Sequence, residues 1–407
     1  MIATTDTLVI GAGQAGLAMS RCLTDRGREH LVLERGRVAQ RWRTERWDSF
    51  TLLSPNWQTR LPGHRYRGPD PHGFMTGGEV ADFLEHYARG APVRTGVAVR
   101  RLEPAAAGWR ARTSAGDVLA RDVVVATGDL DRSVLPPFAG ALPARITQLH
   151  SSAYRHPVQL PEGPVLVVGA GPSGQQIAEE LAHAGRRVHL AVGRHKSLPR
   201  RYRGHDAYWW MDRMGTLART VDSLPNGRFR RGAPNAVLAG GRELDLRRLA
   251  AAEVIPHGRL TGVVNGGLSF AGDLADNLAA AEDNAHRFRE RVDAWVHAHG
   301  MQAPAQRVPR RPLPGWASAG ETTLRIDEIG TVLWATGFRR DFSWIDAPVF
   351  DADGEPVQRR GVTTAEGLFF LGLRWMYRRS SSFLDGVGAD AEHLAARITA
   401  DACAHAA

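Results

Sequence analysis

The chain has 407 residues, 43% of them hydrophobic, and its 52 Lys and Arg against 43 Asp and Glu give a formal net charge of +9 at pH 7. Single cores stop growing near ~250–300 residues, so this length predicts two domains. The basic residues are spread along the chain, with Lys196 as the only lysine and the densest cluster at Arg200, Arg201 and Arg203. This distribution favours an anionic small molecule as the ligand and argues against nucleic acid.

The cysteines and the apolar runs indicate where the chain functions. Cys22 and Cys403 are its two cysteines, so neither a disulfide framework nor a zinc site is expected, and no other metal site is predicted. A strand begins almost at the first residue, which leaves no space for a signal peptide. No run approaches the ~20 apolar residues of a membrane helix. A soluble, cytoplasmic protein with no membrane span is therefore expected.

The first pattern in the chain is a strand, a glycine turn and a helix. Residues 8–10 are an apolar run typical of a buried parallel strand, and Gly11, Gly13 and Gly16 follow in G-x-G-x-x-G spacing. The first glycine permits the turn, the second lets a pyrophosphate approach, and the third lets helix and strand pack closely. Glu34 follows 18 residues after Gly16. A carboxylate there accepts from a ribose 2′-hydroxyl and repels a 2′-phosphate, so the pattern predicts FAD or NAD and not NADP.

Aromatic residues and strands occupy the next hundred residues. Trp42, Trp47, Phe50 and Trp57 allow two interpretations, which are packing between layers and a loop against a planar cofactor. A helix is predicted at residues 76–89, where Thr76 is a suitable cap. An antiparallel excursion is predicted from three strands at residues 93–102, 109–113 and 118–125.

The opening pattern then recurs with the opposite charge. Residues 165–168 predict a strand, and Gly169, Gly171 and Gly174 repeat the glycine spacing before a helix at 175–184 and a strand at 188–192. Arg194 lies 20 residues after Gly174, where the first copy has its acid. A cation at this point accommodates a 2′-phosphate, so the second turn is predicted to prefer NADPH.

Each glycine turn is followed far downstream by an apolar strand that ends in Ala-Thr-Gly. These are Ala126 to Gly128 and Ala335 to Gly337, which indicate an internal repeat of one architecture. A helix is predicted at 275–299, a strand pair at 324–334, a strand at 367–372 and a last helix at 389–402. An acidic first site beside a cationic second site implies FAD held permanently and NADPH visiting to deliver hydride.

With these motifs in this order, the chain resembles the flavin-containing monooxygenases and their Baeyer–Villiger and YUCCA-type relatives over essentially its whole length. The resemblance implies an α/β fold with two Rossmann-like dinucleotide-binding domains of the glutathione-reductase type, the NADPH domain being inserted in the FAD domain. The FAD-binding domain is expected at 1–156 and 338–407, and the NADPH-binding domain at 157–337. The resemblance also implies oxygen transfer through a flavin C4a-hydroperoxide to a small nitrogen-, sulfur- or carbonyl-containing substrate.

Three catalytic residues are carried over from the resemblance. Asn56 matches a family asparagine that faces the flavin, although an asparagine in a loop commonly bonds its own backbone. His150 and Tyr154 match the end of the family fingerprint F-x-G-x-x-x-H-x-x-x-Y/F, whose Phe and Gly are here Ala144 and Ile146. This departure leaves open whether His150 contacts the chemistry or positions the domain linker.

The predicted cofactor-binding residues come from both glycine turns, the strand ends that follow them, and the C-terminal segment. They are Gly11, Gly13, Gln14, Ala15, Gly16, Glu34, Arg35, Gln40, Trp42, Val99, Ala126, Gly128, Gly169, Gly171, Pro172, Ser173, Gly174, Arg194, His195, Ala335, Thr336, Gly337, Leu384 and Gly388. Aromatic content further suggests Trp209, Trp210 and Tyr377 as walls of a substrate pocket.

The expected partners are a small-molecule substrate and O2, with a homodimer left open. Three other functions compete with the monooxygenase. A flavin disulfide reductase needs a redox thiol pair, and Cys22 has no cysteine near it in the sequence. An NADPH oxidase or flavin reductase without oxygen insertion differs only in the lifetime of an intermediate. A non-catalytic FAD- and NADPH-binding redox regulator of a partner protein would keep both nucleotide sites.

Overall fold

A computed structural model describes residues 3–227, 236–318 and 322–406. Its larger sheet is built around a parallel core, because the apolar runs of the first pattern are buried on both faces. Its path, from one edge to the other, is Val93–Arg94, His30–Leu33, Ala3–Ile10, Gly116–Val125, Leu368–Phe370, Val362–Thr363 and Gln358–Arg359. The last two strands are antiparallel to their neighbours.

The antiparallel excursion lies on this sheet as predicted. Val99–Ala105 pairs with Gly108–Thr113, which pairs with Gly116–Val125. Val93–Arg94 is separate from it and forms the parallel edge beside His30–Leu33. The strand predicted at 93–102 is therefore wrong, because it covers two separate strands, Val93–Arg94 and the start of Val99–Ala105. The sequence pattern did not separate them because both are short and rich in β-forming residues.

The second sheet has five strands, all parallel. Their order is Thr147–His150, Thr331–Trp334, Val165–Val168, Val188–Ala191 and Ile255–His257. The chain crosses between the sheets twice, and the two crossings pair with each other through Arg132–Ser133 and Phe338–Arg339. Thr147–His150 therefore belongs to the second sheet, although it lies before residue 157.

Five of the helices in the described ranges lie at predicted positions, and the four short ones at 40–44, 207–213, 246–251 and 315–318 were not predicted. The helices are Gln14–Thr24, Gln40–Thr44, Gly77–Tyr87, Pro172–His183, Ala207–Arg213, Leu246–Ala251, Leu274–Ala298, Gly315–Ser318 and Val387–Ala406. Thr76 caps the third of these in a capping box with Glu79, which satisfies backbone N–H groups at both positions. In the part of the chain that the structure describes, no helix is long and apolar enough to cross a membrane.

Short strands complete the chain. They are Arg60–Leu61, His64–Arg65, Lys196–Ser197, Arg201–Tyr202, His205–Asp206, Ala236–Val237, Leu260–Val264, Gly267–Phe270 and Thr323–Arg325. The strand pair predicted at 324–334 is wrong, because Thr323–Arg325 pairs with Gly267–Phe270 while Thr331–Trp334 lies inside the second sheet. Two neighbouring apolar runs look the same in the sequence whether they pair with each other as a hairpin or belong to different sheets.

The two units share side chains across their boundary. Trp47 comes from the loop after the first βαβ unit, yet it is buried in the core of the second unit with Tyr154 and Leu160. Phe50 contacts Trp47 edge to face at 5.2 Å between ring centroids and packs against the cores of both units. The sequence allowed either layer packing or a cofactor-facing loop for these aromatics, and Trp47 shows the first directly.

Candidate functional site

The first glycine turn has the geometry that its spacing predicts. Gly11 has φ +108°, and a Cβ there would lie 2.7 Å from the carbonyl oxygen of Ala126. A Cβ on Gly16 would lie 1.8 Å from the carbonyl oxygen of Gly11, so the helix packs directly on the turn. Nothing lies within 4 Å of a Cβ at Gly13, which leaves the start of the helix open to a phosphate.

Glu34 braces this turn with both carboxylate oxygens. Oε2 accepts from the Ala12 N–H at 2.9 Å, and Oε1 accepts from the Gly36 N–H at 2.8 Å. Each carboxylate oxygen keeps a further lone pair, and the residue lines the central cavity. The side chain is therefore held in one orientation and can still accept from a hydroxyl.

The second turn has nearly the same geometry as the first. Gly169 has φ +113°, and its Cβ would lie 2.6 Å from the carbonyl oxygen of Ala335. A Cβ on Gly174 would lie 1.8 Å from the Gly169 carbonyl oxygen, and nothing lies within 4 Å of a Cβ at Gly171. In both copies, the strand ending in Ala-Thr-Gly thus covers the first glycine of the turn.

The strand after the second turn ends in a free cation. Arg194 is exposed on the cavity wall, and no ion pair joins it to any residue within the described ranges. His195 is instead buried, and its Nδ1 lies 3.1 Å from the Gly193 carbonyl oxygen. Burial lowers the pKa of His195. The guanidinium of Arg194 is therefore available to an anion, whereas His195 supports the loop.

One cavity of about 2080 Å³ connects the two turns. Most predicted cofactor residues line it: Gly11, Gly13, Gln14, Ala15, Glu34, Arg35, Gln40, Trp42, Val99, Ala126, Gly128, Gly169, Gly171, Pro172, Ser173, Arg194, Ala335, Thr336, Gly337 and Leu384. Gly16 and Gly174 act behind the wall as packing positions. His195 and Gly388 do not line it, and a Cβ on Gly388 would approach Pro62 at 3.1 Å.

Asn56, which was expected to face the flavin, lies outside the lining of this cavity. Asn56 is buried away from the cavity wall, and its Oδ1 accepts from the Met75 N–H at 2.8 Å. Its Nδ2 donates to the Asp70 carbonyl at 3.0 Å. Both ends of the amide thus hold the loop together, which is the alternative role for an asparagine in this position.

His150 and Tyr154 also lie outside the cavity wall. His150 Nε2 lies 3.0 Å from the Gly337 carbonyl oxygen and its Nδ1 lies 3.0 Å from Ser133 Oγ, so the ring joins both crossings between the sheets. Burial lowers the pKa of His150, which favours the neutral ring. Tyr154 is fully buried and donates to Glu180 Oε2 at 2.8 Å. In this geometry both side chains bond to groups of the protein, and the His150 ring lies between the two crossings.

Of the three predicted wall residues, only Tyr377 lines the cavity, and Tyr208 lies there in place of the two tryptophans. Tyr208 lines the cavity, as does Tyr377, but Trp210 is fully buried and donates to the Tyr202 carbonyl at 2.7 Å. Trp209 stacks on His205 at 3.8 Å between ring centroids. The signal that was available is Asp206, whose capping role fixes the phase of the short helix.

Arg200 joins the two units beside this wall. Its side chain is 2% exposed, and its Nε and Nη2 donate to Asp206 Oδ2 at 2.8 and 2.5 Å. Nη1 donates to the carbonyls of Leu53 at 2.7 Å and Ala239 at 3.2 Å, while the guanidinium lies 4.7 Å from the Phe74 ring. Leu53 and Phe74 come from the first unit, so this buried cation fixes how the units meet.

Thiols and metal ligands are scarce at the site. Cys22 is buried in the first helix, off the cavity wall, and burial raises its pKa to about 12. Within the described ranges, no group of three His, Cys, Asp or Glu side chains is arranged to hold a metal ion. The cavity therefore presents backbone N–H groups, carboxylates, guanidinium groups and aromatic rings.

The sequence is similar to those of known proteins. Residues 8–219 match the pyridine nucleotide-disulphide oxidoreductase family. An uncharacterized CzcO-like oxidoreductase of Geobacillus kaustophilus is 36% identical over 395 residues, covering 96% of this chain and 97% of its own. Indole-3-pyruvate monooxygenase YUCCA1 of rice is 33% identical over 191 residues, 46% of this chain and 47% of its own.

Solved structures share the fold over the full length. The flavin-containing monooxygenase of Stenotrophomonas maltophilia superposes with a TM-score of 0.68 at 20% identity, covering 98% of this chain and 99% of the other. OTEMO in complex with FAD and NADP superposes with a TM-score of 0.55 at 17% identity, covering 97% and 85%. The predicted fold class, with two Rossmann-type units, is confirmed.

Proposed function

The chain belongs to the pyridine nucleotide-disulphide oxidoreductase family, and from that premise we propose that it is an NADPH-dependent FAD monooxygenase. It transfers one oxygen atom from O2 to a small nitrogen-, sulfur- or carbonyl-containing substrate. The observation that carries this proposal is the single cavity lined by both glycine turns, with Glu34 on one wall and Arg194 on the other. Two nucleotides in one cavity allow hydride to pass from one to the other.

The first unit, residues 3–133 with 338–406, holds FAD in this proposal. The open helix start at Gly13 binds the pyrophosphate through backbone N–H groups, and Glu34 accepts from the adenosine ribose. Bound FAD accepts hydride and activates O2, chemistry that no side chain supplies. Trp42 and Phe50 line the cavity, and their rings exclude water from the part of it where hydride transfer changes the charge.

The second unit holds NADPH. Gly171 offers the same open helix start, and Arg194 binds the 2′-phosphate because it is exposed and unpaired within the described ranges. The boundary before this unit falls between residues 133 and 147, because Thr147–His150 is a strand of the second sheet. His150 holds the two crossings together at this boundary.

Oxygen transfer is favoured over disulfide exchange by the thiol chemistry. Exchange needs a thiolate at the flavin, and Cys22 is off the cavity wall with a pKa of about 12. Its thiol therefore stays protonated at neutral pH. Among the side chains that the structure describes, the cavity wall carries no cysteine.

The test follows the fate of O2. Enzyme saturated with FAD is given NADPH, ¹⁸O2 and one of three substrates, a methyl sulfide, a tertiary amine or a cyclic ketone. We expect ¹⁸O in at least one product and less H2O2 per NADPH than without substrate. If all consumed NADPH appears as H2O2 with every substrate, the protein is an oxidase and oxygen insertion is refuted. If FAD binds but NADPH is not consumed, the monooxygenase hypothesis is rejected in favour of a non-catalytic redox regulator.

A further inference from the structure

Arg46 is a cation on the cavity wall without a counterion among the residues that the structure describes. It lines the cavity that connects the two glycine turns, and no ion pair joins it to any described residue. We propose that Arg46 stabilises the negative charge that hydride transfer adds to the flavin. This inference rests on the proposed function, because it gives the arginine a task at the FAD that the first unit holds there.

Two aromatic rings hold the guanidinium in place. Its Cζ lies 5.1 Å from the Trp42 ring centroid and 5.3 Å from the Phe50 ring centroid, and both rings also line the cavity. Nη1 donates to the Glu45 carbonyl at 2.9 Å, and the guanidinium makes no other hydrogen bond within the described ranges. Neither Nε nor Nη2 is among the buried atoms that lack a partner. These N–H groups are therefore accessible to an anion in the cavity.

The two other arginines of the same segment are paired with acids. Arg41 Nη2 lies 2.6 Å from Asp131 Oδ1, and Arg43 Nη2 lies 2.8 Å from Glu85 Oε1. Arg46 has no such partner, although it is half-buried like the other two. A cation that is partly removed from water without a carboxylate beside it costs free energy, and an anion bound in the cavity offsets that cost.

Arg46 lies at the boundary between the two units. The next residue, Trp47, is buried in the core of the second unit, and Phe50 packs against both cores. On the other side, Trp42 Nε1 donates to Gln14 Oε1 at 3.4 Å, and Gln14 begins the helix at the first glycine turn. The cation therefore stands where the wall of the first unit meets the second.

Hydride transfer changes the charge where the two nucleotides meet. In the proposed function Glu34 and Arg194 bind the ribose ends of FAD and NADPH, so the flavin and nicotinamide rings meet away from both. A hydride carries two electrons and one proton. The C–H bond of the dihydronicotinamide breaks, an N–H bond forms on the flavin, and the flavin gains one negative charge while the nicotinamide gains one positive charge.

A fixed cation at a site that excludes water favours the charged, reduced state of the flavin. Burial lowers the pKa of Arg46 to about 10, and the neighbouring Arg41 and Arg155 lower it further, while Glu45 opposes the shift. The guanidinium therefore keeps its charge at neutral pH. It is held between two rings before the reaction begins, so no rearrangement is needed when the charge appears.

Reduction potentials of the FAD enzyme test this role without NADPH or O2. Each variant is reduced anaerobically beside a dye of known potential. Sulfite, which adds to oxidised flavin and leaves a negative charge on it, is titrated separately. In Arg46→Gln we expect the equilibrium constant for two-electron reduction to fall at least tenfold, which equals a potential about 30 mV lower. Sulfite should also bind at least tenfold more weakly.

Two further variants are the controls. Arg46→Lys keeps the charge and should recover most of both losses. Arg43→Gln removes an equal charge from the same segment, off the cavity wall, and leaves both values unchanged. If Arg46→Gln holds no FAD, Arg46→Lys decides, since a preserved potential supports the role of the charge and a fall of about 30 mV contradicts it.

The remaining outcomes separate this role from its alternatives. An unchanged potential in Arg46→Gln overturns the proposal, and weaker FAD binding at that unchanged potential assigns Arg46 to a phosphate of the cofactor. Equal losses in Arg46→Gln and Arg46→Lys, or in Arg43→Gln, also contradict it, because ring packing or net charge is then responsible. Since neither NADPH nor O2 is present, failure of oxygen transfer would leave these results intact, whereas an unaltered protein that binds no FAD would refute the proposed function itself.

Discussion

Replacing Arg200 by Gln is expected to destabilise the protein by about 3–5 kcal/mol, because it leaves a carboxylate without its buried partner. Arg200 is 2% exposed and Asp206 is 13% exposed, so water reaches the guanidinium hardly at all and the carboxylate only in part. The substitution also removes the donors to the carbonyls of Leu53 and Ala239. Unsatisfied buried acceptors cost about 1–3 kcal/mol each, and part of this cost is already contained in the first figure.

A matched ion pair on the surface provides the control. Arg112 Nε and Nη2 both donate to Glu103 Oε1, at 2.9 and 2.7 Å, as Arg200 does to Asp206. Its side chain is 55% exposed, so Arg112→Gln is expected to leave the stability almost unchanged, because water screens an exposed ion pair. In both pairs two guanidinium N–H groups bind one carboxylate oxygen, and the pairs differ in burial and in the two carbonyls that Arg200 also binds.

Urea unfolding of the FAD enzyme, followed by tryptophan fluorescence, measures both costs. Adding Asp206→Asn to Arg200→Gln should recover part of the loss, because no charge is then left buried alone. If the two single variants lose the same stability, burial does not strengthen the Arg200 pair. The view that this cation fixes how the units meet would then be refuted.

Arg194→Ala should raise the KM for NADPH roughly 10- to 100-fold, as expected for ~1.5–3 kcal/mol of charged hydrogen bonding, with the KM for NADH unchanged; equal changes would contradict the 2′-phosphate assignment. Gly13→Ala should fold normally, since nothing lies within 4 Å of the new methyl group, yet lose FAD affinity about tenfold or more; full FAD occupancy after dialysis would exclude a phosphate at that position. His189 Nδ1 and His257 Nε2 lie 2.9 Å apart, and burial lowers the pKa of His189 to about 4. The unfolded chain therefore binds the extra proton first, and stability falls as pH drops from about 6.5 to about 4, by up to ~1.4 kcal/mol per pH unit. His189→Leu should flatten that slope in denaturation curves measured across this range, and an unchanged slope would assign it to other groups.

The sequence predicted the glycine turns because their chemistry is local. Gly11 and Gly16 are five residues apart, and the contact between them follows from the spacing alone. Arg194 was predictable for the same reason, since its distance from Gly174 repeats the spacing of the first unit. Local patterns therefore predicted the geometry of both glycine turns and the opposite charges of Glu34 and Arg194 near them.

The contacts that were not predicted are ones that sequence spacing does not encode. Asn56 uses its amide on Met75 and Asp70, which lie in a later part of the loop. Arg200 contacts Leu53, 147 positions earlier in the chain, and no pattern indicates that contact. Tyr208 was missed because a helix of seven residues is too short for its apolar face to be read from the sequence.

The pairing of Leu368–Phe370 with Gly116–Val125 has a consequence for synthesis on the ribosome. At ~5–20 residues per second, roughly 12–50 s separate the two strands as they leave the ribosome. During this time the first unit presents an open strand edge to the solvent. Phe369 and Phe370, both buried in the finished sheet, are the residues that close it. A chain released before Leu368–Phe370 is synthesised would keep this edge exposed and would be prone to aggregate. The order of translation therefore makes solubility depend on the pairing of the last strand.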